Sequence, residues 1–218
     1  MRIHGLEVIY EDDSIVVVDK PAGLLTMATA TERVKTAYAV LRAYLNSKKP
    51  PEKLFIVHRL DREASGLLVF AKTVESKERL QDQFKDHSAG RRYVAVVEGC
   101  LRENQATIRS SLAENAAYRV YSTPNKKIGK HAVTHVKVLK RTSKTSLVEV
   151  RLETGRKHQI RVHLADYGYP IVGDKAYGGR SNPIRRLALH GVQLDFRHPV
   201  SGKHVTLNSA HPKEFDRL

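Results

Sequence analysis

The chain has 218 residues, of which 41% are hydrophobic and 28% are charged, so it is long enough to bury a sizeable core. Its 38 lysine and arginine residues exceed its 23 acidic residues, and the net charge of +15 favours nucleic acid or another polyanion as partner. A single cysteine excludes an intramolecular disulfide and a cysteine-rich zinc site.

The first part of the chain alternates short β-branched runs with two helical patterns. Runs at 8–10 and 15–18 flank the acidic residues 11–13, which predicts a hairpin with three solvated carboxylates at its turn. Apolar residues at helical spacing predict helices over 36–45 and 74–84. Further strands are predicted over 54–57, 67–71 and 93–97, and the second of these is apolar on both faces, as in a central strand.

The second part begins with a polar, basic segment, 107–130, which we interpret as strand pieces joined by exposed loops. A hairpin is predicted over 133–139 and 147–152, because apolar and charged residues alternate in its second arm. Residues 158–167 have the spacing of a helix, with Ile160, His163 and Leu164 on one face and Gly168 as its end. The last strands are predicted over 187–194 and 205–207.

Strands outnumber helices, and several strands are joined by tight turns. This pattern favours an α+β fold with a largely antiparallel sheet over an alternating βαβ fold. We see no linker and no repeat, so we expect one domain over residues 1–218. No stretch approaches 18 apolar residues and no apolar signal region opens the chain, so we expect a cytoplasmic protein without a membrane partner, acting as a monomer.

The segment 58–68 contains an acidic residue between two arginines. Asp61 stands between Arg59 and Arg62, and a Ser-Gly pair then leads into an apolar strand. Nearby guanidinium groups favour the ionised form of such a carboxylate. By spacing alone, Asp61 either binds a surface arginine or performs chemistry on a polyanion.

A second informative segment, 152–163, joins a strand to the start of a helix through a Thr-Gly turn. Backbone N–H groups at a helix N-terminus attract anions, and cations there oppose the helix dipole. Arg156 and Lys157 at this end therefore indicate a phosphate contact, with a solvated basic helix start as the alternative. Lys126 and Lys127 are two more candidate phosphate contacts.

Metal and nucleotide sites are not expected. His158 and His163 are five residues apart on a predicted helix, about 140° around its axis, and do not share a face. The sequence has no His-Glu-x-x-His motif, no phosphate-binding loop, no Gly-x-Gly-x-x-Gly and no Gly-x-Ser-x-Gly. We therefore expect neither a metal nor a cofactor.

Taken together, these segments resemble the RluA family of pseudouridine synthases, because four separated motifs occur in that family's order. The motifs lie at 11–23, 58–67, 92–99 and 154–178, and 189–190 and 198–199 match the tail. Asp19, Ala64, Lys157 and Tyr169 depart from the usual pattern and leave substrate choice open. The S4 domain of many relatives is not among the motifs, so RNA binding is expected from the catalytic domain itself.

The resemblance implies the pseudouridine synthase fold, a mixed, mostly antiparallel sheet flanked by helices with a basic RNA-binding cleft. It also implies an isomerase that converts uridine to pseudouridine in a stem-loop of rRNA or tRNA, without cofactor or metal. Asp61 is then the catalytic carboxylate, Arg161 its ion-pair partner and Tyr93 the side chain against the uracil. The alternative is a catalytically silent RNA-binding or chaperone module.

The family pattern also implies residues that handle the RNA. Arg59 would fill the place that the target uridine vacates when it leaves its stack, since a planar guanidinium can stack there and bind phosphate. Arg62 is a further RNA-binding candidate. Ile160 and Leu164 would lie near the base, although core packing is the simpler interpretation of Leu164.

Overall fold

In the residues that the computed structural model describes, 1–3 and 5–218, twelve strands and three α-helices form the fold. These residues group into two compact units. The first contains Met1–Gly90 and Gly191–Ala210, and the second contains Arg91–His190 and His211–Leu218. The mostly antiparallel sheet structure and the helices confirm the α+β class, whereas one domain over residues 1–218 stays a prediction.

The strands of the first unit have the order β1-β2-β3-β5-β11, in which β4 also pairs with β5 and β12 with β11. The β1–β2, β2–β3, β3–β5, β4–β5 and β11–β12 pairs are antiparallel. Two helices accompany it: α1 (Ala37–Asn46) and α2 (Val74–Lys85). The strands are β1 (Arg2–Ile3), β2 (Leu6–Glu11), β3 (Ile15–Lys20), β4 (Phe55–Ile56), β5 (Ser65–Ala71), β11 (Leu189–Arg197, in this unit from Gly191) and β12 (His204–Asn208).

Strand β5 is the core of this unit, and its seven residues are all buried, as predicted for a central strand. Its apolar side chains Leu67 and Val69 pack with Leu80 of α2 and Phe196 of β11. Each helix begins at a threonine whose hydroxyl accepts a backbone N–H of the first turn, which satisfies one of the otherwise unpaired donors. Both predicted helices and the 8–18 hairpin are confirmed.

The second unit is an antiparallel sheet with the order β6-β10-β9-β7-β8. Its single α-helix, among the described residues, is α3 (Gln159–Asp166), and two 3₁₀ turns, Lys175–Tyr177 and Lys213–Arg217, were not predicted. The strands are β6 (Gly90–Glu98, in this unit from Arg91), β7 (Gln105–Glu114), β8 (Val120–Thr123), β9 (Lys130–Arg141) and β10 (Thr145–Leu152). The predicted hairpin over 133–152 is confirmed as β9 and β10.

Helix α3 packs on one face of this sheet. Val162 of the helix is in a cluster with Leu112 of β7, Val120 of β8 and Ala132 of β9. The helix ends as predicted, because Gly168 has φ +90. The expectation of one apolar face is incomplete, since residues 159–164 are all buried and only the last residue of the helix, Asp166, is exposed.

The expectation that the carboxylates of the β2–β3 turn are solvated is wrong for Glu11 and Asp12. Asp12 closes the turn, accepting the backbone N–H groups of Ser14 and Ile15 at 2.7 and 2.9 Å. Asp12 also lies 2.8 Å from His198 Nε2. Asp12 therefore stabilises the turn by these contacts instead of facing solvent.

Glu11 is the centre of an ion network. Its carboxylate binds Lys48 and, at 2.6 Å, the Nζ of Lys72, whose side chain is only 4% exposed. The hydroxyl of Tyr44 donates to its second oxygen at 3.1 Å. Burial raises the pKa of Glu11, but the hydrogen bonds from the two lysines outweigh burial and lower the pKa below 4.5. The network ties β2 and the end of β5 to α1.

None of the helices in the described part of the chain is long and apolar enough to cross a bilayer.

We expect Glu11→Gln to lower the free energy of unfolding by about 1–3 kcal/mol at neutral pH, because Lys72 loses a charged partner. A folded-state pKa below the unfolded value means that the stabilisation is present above pH 4.5 and is lost as pH falls through the folded pKa. Urea unfolding at pH 7 and at decreasing pH should show the two proteins converging in acid. The exposed Asp13→Asn is the control, and a pH-independent difference would contradict this role.

Candidate active site

Asp61 lies in the loop between β4 and β5, where it is half-buried. The residue before it is held by Thr26, because the backbone N–H of Leu60 donates to Thr26 Oγ1 at 3.1 Å and that hydroxyl donates to the Leu60 carbonyl at 2.9 Å. Leu60 is 5% exposed, so its side chain is an apolar anchor for the same loop. The chain is therefore fixed immediately before Asp61.

The residues after Asp61 are held by Lys20, a fully buried lysine at the end of β3. Its Nζ lies within hydrogen-bonding distance of four backbone carbonyls: Pro21 at 3.0 Å, Leu24 at 2.7 Å, Arg62 at 3.3 Å and Ala64 at 2.6 Å. An ammonium group has three N–H donors, so some of these contacts share a proton. One cation thus joins the 21–24 loop to the 62–64 loop.

A direct backbone pair joins the same two loops. The N–H of Gly23 donates to the Arg62 carbonyl at 2.8 Å, and Arg62 Nε donates to the Gly23 carbonyl at 3.1 Å. Gly23 has φ +86, a conformation that favours glycine. Asp61 therefore stands between two residues that are each bonded to the 20–26 segment, which restricts where its carboxylate can be.

Two more residues of the motif have structural contacts. His58 Nε2 accepts the backbone N–H of Val69 at 3.2 Å, and its ring stacks on Phe84 at 4.6 Å. Gly66 has φ +120, and a Cβ there would lie 2.3 Å from the backbone N of Gly191. Only glycine allows β5 and β11 to approach this closely, which explains the Ser-Gly pair after Asp61.

Arg161 belongs to the second unit, where it is 5% exposed. Its Nε and Nη2 donate to the two oxygens of Asp174, both at 2.8 Å, and the guanidinium lies 5.1 Å from the Tyr177 ring centroid. Such a two-point pair fixes both the position and the plane of the guanidinium. Sequence reasoning missed Asp174 as its partner, and the predicted pairing of Arg161 with Asp61 stays a prediction.

A row of buried polar groups fixes the rotation of α3. His163 is fully buried, with Nδ1 2.8 Å from Thr134 Oγ1 and Nε2 3.0 Å from Ser110 Oγ. Gln159 donates to Thr134 Oγ1 at 3.0 Å. Burial lowers the pKa of His163 to about 4, so the ring is neutral at physiological pH. Helix α3 therefore presents Arg161 in one orientation.

The residues predicted to pack against the base are all largely buried in the second unit. Tyr93 in β6 is 7% exposed and faces Val150 of β10 in the register. Ile160 is 5% exposed, whereas Leu164 is fully buried, in line with core packing. Their contact with a base stays a prediction.

The predicted RNA-binding cations differ in how far they are already engaged. Arg59, Lys126 and Lys127 are exposed, and Arg156 is exposed although its Nε donates to a backbone carbonyl. Lys157 is half-buried and binds the Glu114 carboxylate, so much of its charge is neutralised within the protein. The structure therefore leaves Lys157 as the least available of these cations to a phosphate.

A family model described as RNA pseudouridylate synthase matches residues 14–166. Ribosomal large subunit pseudouridine synthase D of Neisseria meningitidis is 37% identical over 226 residues, which cover 98% of this chain and 60% of that protein. The chain therefore spans 60% of the length of that relative.

Two further similarities agree with this one. An RNA pseudouridine synthase of Bacillus subtilis, YhcT, described as uncharacterized, is 35% identical over 217 residues, covering 98% of this chain and 71% of that protein. Among solved structures, Human RNA Pseudouridylate Synthase Domain Containing 1 has a TM-score of 0.79 and 25% identity, covering 97% of this chain and 86% of that one.

We expect Lys20→Met to lower the free energy of unfolding by about 2–3 kcal/mol, because buried carbonyls lose a charged donor that a thioether cannot replace. Urea unfolding of both proteins measures the difference. Lys53→Met, an exposed lysine of the same unit, is the matched control. Equal stability of the two variants would contradict the role of Lys20 in joining the loops.

Proposed function

The chain belongs to the RNA pseudouridylate synthase family, and from this premise we propose that it isomerises uridine to pseudouridine within RNA, with Asp61 as the catalytic carboxylate. The observation that carries the proposal is the family match over residues 14–166, a range that includes Asp61, Tyr93 and Arg161. The relatives, whose names specify pseudouridine synthases, support the same activity.

The reaction exchanges one bond of the ribose for another. The C1′–N1 bond breaks, the uracil rotates, and C1′ joins C5, while C5 loses its proton and N1 ends with one, so that atoms and charge balance. The chemistry requires a group that acts on the sugar or the ring and a route for the C5 proton. A carboxylate can do the first in three ways: by adding to C6, by attacking C1′ or by removing a C2′ proton.

Asp61 suits this role because its backbone is held on both sides. The Leu60–Thr26 pair and the Lys20 carbonyl contacts restrain the loop before substrate arrives. A group that is already in position costs little reorganisation when charge develops in the transition state. This restraint supports a catalytic role over the alternative of a silent RNA-binding module.

We assign two residues of the second unit to the same reaction on the family pattern. Arg161, whose Nε and Nη2 bind Asp174, is the ion-pair partner of Asp61. Tyr93 packs against the uracil and assists removal of the C5 proton, directly or through water. Ile160 covers the base.

The substrate that we propose is structured RNA, either rRNA or tRNA, bound by a monomer in the cytoplasm. The named large-subunit relative supports rRNA. Exposed cations such as Arg59, Lys126, Lys127 and Arg156 would contact phosphates, and the net charge of +15 suits a polyanionic substrate.

Asp61→Asn should abolish turnover while leaving RNA affinity near that of the wild type, since the change keeps shape and most affinity comes from phosphate contacts. Turnover is measured as tritium release from [5-³H]uridine-labelled RNA, and affinity by filter binding. The exposed Asp13→Asn is the matched control and should behave as wild type. Residual turnover within about tenfold of wild type, a barrier change of only about 1.4 kcal/mol, would place the essential carboxylate elsewhere.

Arg59→Ala should slow turnover of a structured stem-loop more than turnover of the same uridine in a flexible strand. Extruding a stacked base costs a few kcal/mol, and a side chain in the gap offsets part of that cost. Both rates are compared at saturating RNA, so that lost phosphate affinity does not contribute. Arg59→Lys, which keeps the charge but not the planar group, should show the same selective loss. Equal losses on both RNAs would make Arg59 an ordinary phosphate contact.

A further inference from the structure

One face of the sheet of the second unit is open to solvent over parts of β7, β9 and β10. Side chains alternate between the two faces of a strand, and over residues 106–112, 132–138 and 148–150 the even-numbered residues face α3 or the interior. The odd-numbered residues form the other face, and Arg109, Lys137 and Arg151 on it are exposed. Strand pairing aligns Arg151 with His135, His135 with Thr107, and Lys137 with Gln105.

This open face, here named the basic face, carries more positive than negative charge. Over residues 105–109, 133–137 and 149–153, with Arg92 of β6 beside them, its lysine and arginine residues are Arg92, Arg109, Lys137 and Arg151, and its acidic residues are Glu149 and Glu153.

Both glutamates already have partners. Glu149 lies 3.9 Å from a guanidinium nitrogen of Arg92, and Glu153 lies 2.5 Å from Nε2 of His135. The hydrogen bond from His135, with smaller contributions from Arg109 and Arg151, lowers the pKa of Glu153, so this carboxylate stays ionised. Arg109, Lys137 and Arg151 therefore give the face its excess of positive charge.

Two shallow hollows adjoin the basic face. A hollow of about 400 Å³ is lined by Arg92, Lys137 and Arg151 among others, and a second of about 540 Å³ is lined by Arg109 and Lys126. Arg109 on β7 and Arg151 on β10 are two strand spacings apart across the sheet and two residues apart along it, so their Cα atoms are about 12 Å apart. Cations at this separation suit successive anionic groups of a polymer rather than one small anion.

The basic face is not the face on which the predicted catalytic side chains of this unit lie. Tyr93 is paired with Val150, which is fully buried on the opposite face, whereas the neighbouring Arg92 is exposed. Arg161 is likewise on α3, which packs against that opposite face. RNA bound on the basic face would therefore be a segment other than the one carrying the target uridine.

We propose that the basic face binds the sugar-phosphate backbone of a second segment of the substrate RNA, an inference that rests on the proposed function for the identity of that RNA. Arg109, Lys137 and Arg151 supply the phosphate contacts. Arginine forks match phosphate oxygens, and the polar residues between them, such as Thr107 and Gln105, can bond to sugar or phosphate.

The test is the triple variant Arg109→Gln/Lys137→Gln/Arg151→Gln, which keeps polar side chains on the exposed strands. Filter binding of a radiolabelled large-subunit rRNA transcript is measured over a series of salt concentrations. Each phosphate contact contributes about 0.7–0.9 to the log–log slope, so we expect the slope to fall by about 2 and the affinity at low salt to fall with it. The double variant Arg109→Lys/Arg151→Lys should keep the wild-type slope.

The matched control removes three cations elsewhere in the same unit: Lys144→Gln/Lys213→Gln/Arg217→Gln, all exposed and at the β9–β10 turn or the C-terminal 3₁₀ turn. Equal loss of slope in both triple variants would overturn the proposal, because net charge alone would then explain the binding. An unchanged slope in the first triple variant would also overturn it. Tritium release by the wild-type protein is measured in parallel, and its absence would refute the proposed activity without affecting the binding result.

Discussion

The buried ammonium group of Lys20 is the interaction on which the candidate site depends. A cation without water must find acceptors within the protein, because an isolated buried charge is very costly. Lys20 finds backbone carbonyls on both of the loops that meet around Asp61. Carbonyls belong to the main chain, so satisfying the lysine also fixes the path of the chain, which an ion pair between two flexible side chains would not do.

In the second unit, a side chain rather than backbone carbonyls holds the candidate catalytic residue in place. Its catalytic candidate Arg161 is held by a carboxylate, Asp174, in a two-point pair that is almost wholly buried. The helix that carries it is held in turn by neutral groups, since burial keeps the His163 ring uncharged against Thr134 and Ser110. Because the His163 ring is neutral, α3 carries no second buried charge beside Arg161. His163 therefore does not change its protonation near neutral pH, and the position of Arg161 does not depend on it.

Sequence reasoning recovered the hairpins and the helices of this chain because those depend on local patterns. β-branched runs, helical spacing and Gly168 act over a few residues, and the hairpins and helices predicted from them are confirmed. Sequence reasoning did not find the carbonyl partners of Lys20, which belong to Arg62 and Ala64, 42 and 44 residues further along the chain. Nor did it find that Asp174 pairs with Arg161, 13 residues before it. Periodicity carries no information about contacts at such separations. The one signal was that Lys20 ends a short strand whose first four residues are apolar.

The prediction that Glu11 and Asp12 are solvated was wrong for a related reason. Acidic residues in a turn are usually solvated, and the sequence pattern gives no sign that β2–β3–β5 pairing brings Lys72, just after β5, to Glu11 or that His198 meets Asp12. The hairpin was predictable, but the neighbours of its turn were set by the sheet.

The same internal use of charge changes what the net charge of +15 means for RNA. Lys20, Lys72 and Arg161 count toward that total, yet each is at most 6% exposed and is bonded within the protein. Only cations that contact phosphate release counterions, so buried ones add nothing to the salt dependence of binding. The electrostatic footprint of the protein is therefore set by where its exposed arginines and lysines cluster, and the basic face of the second unit is one such cluster.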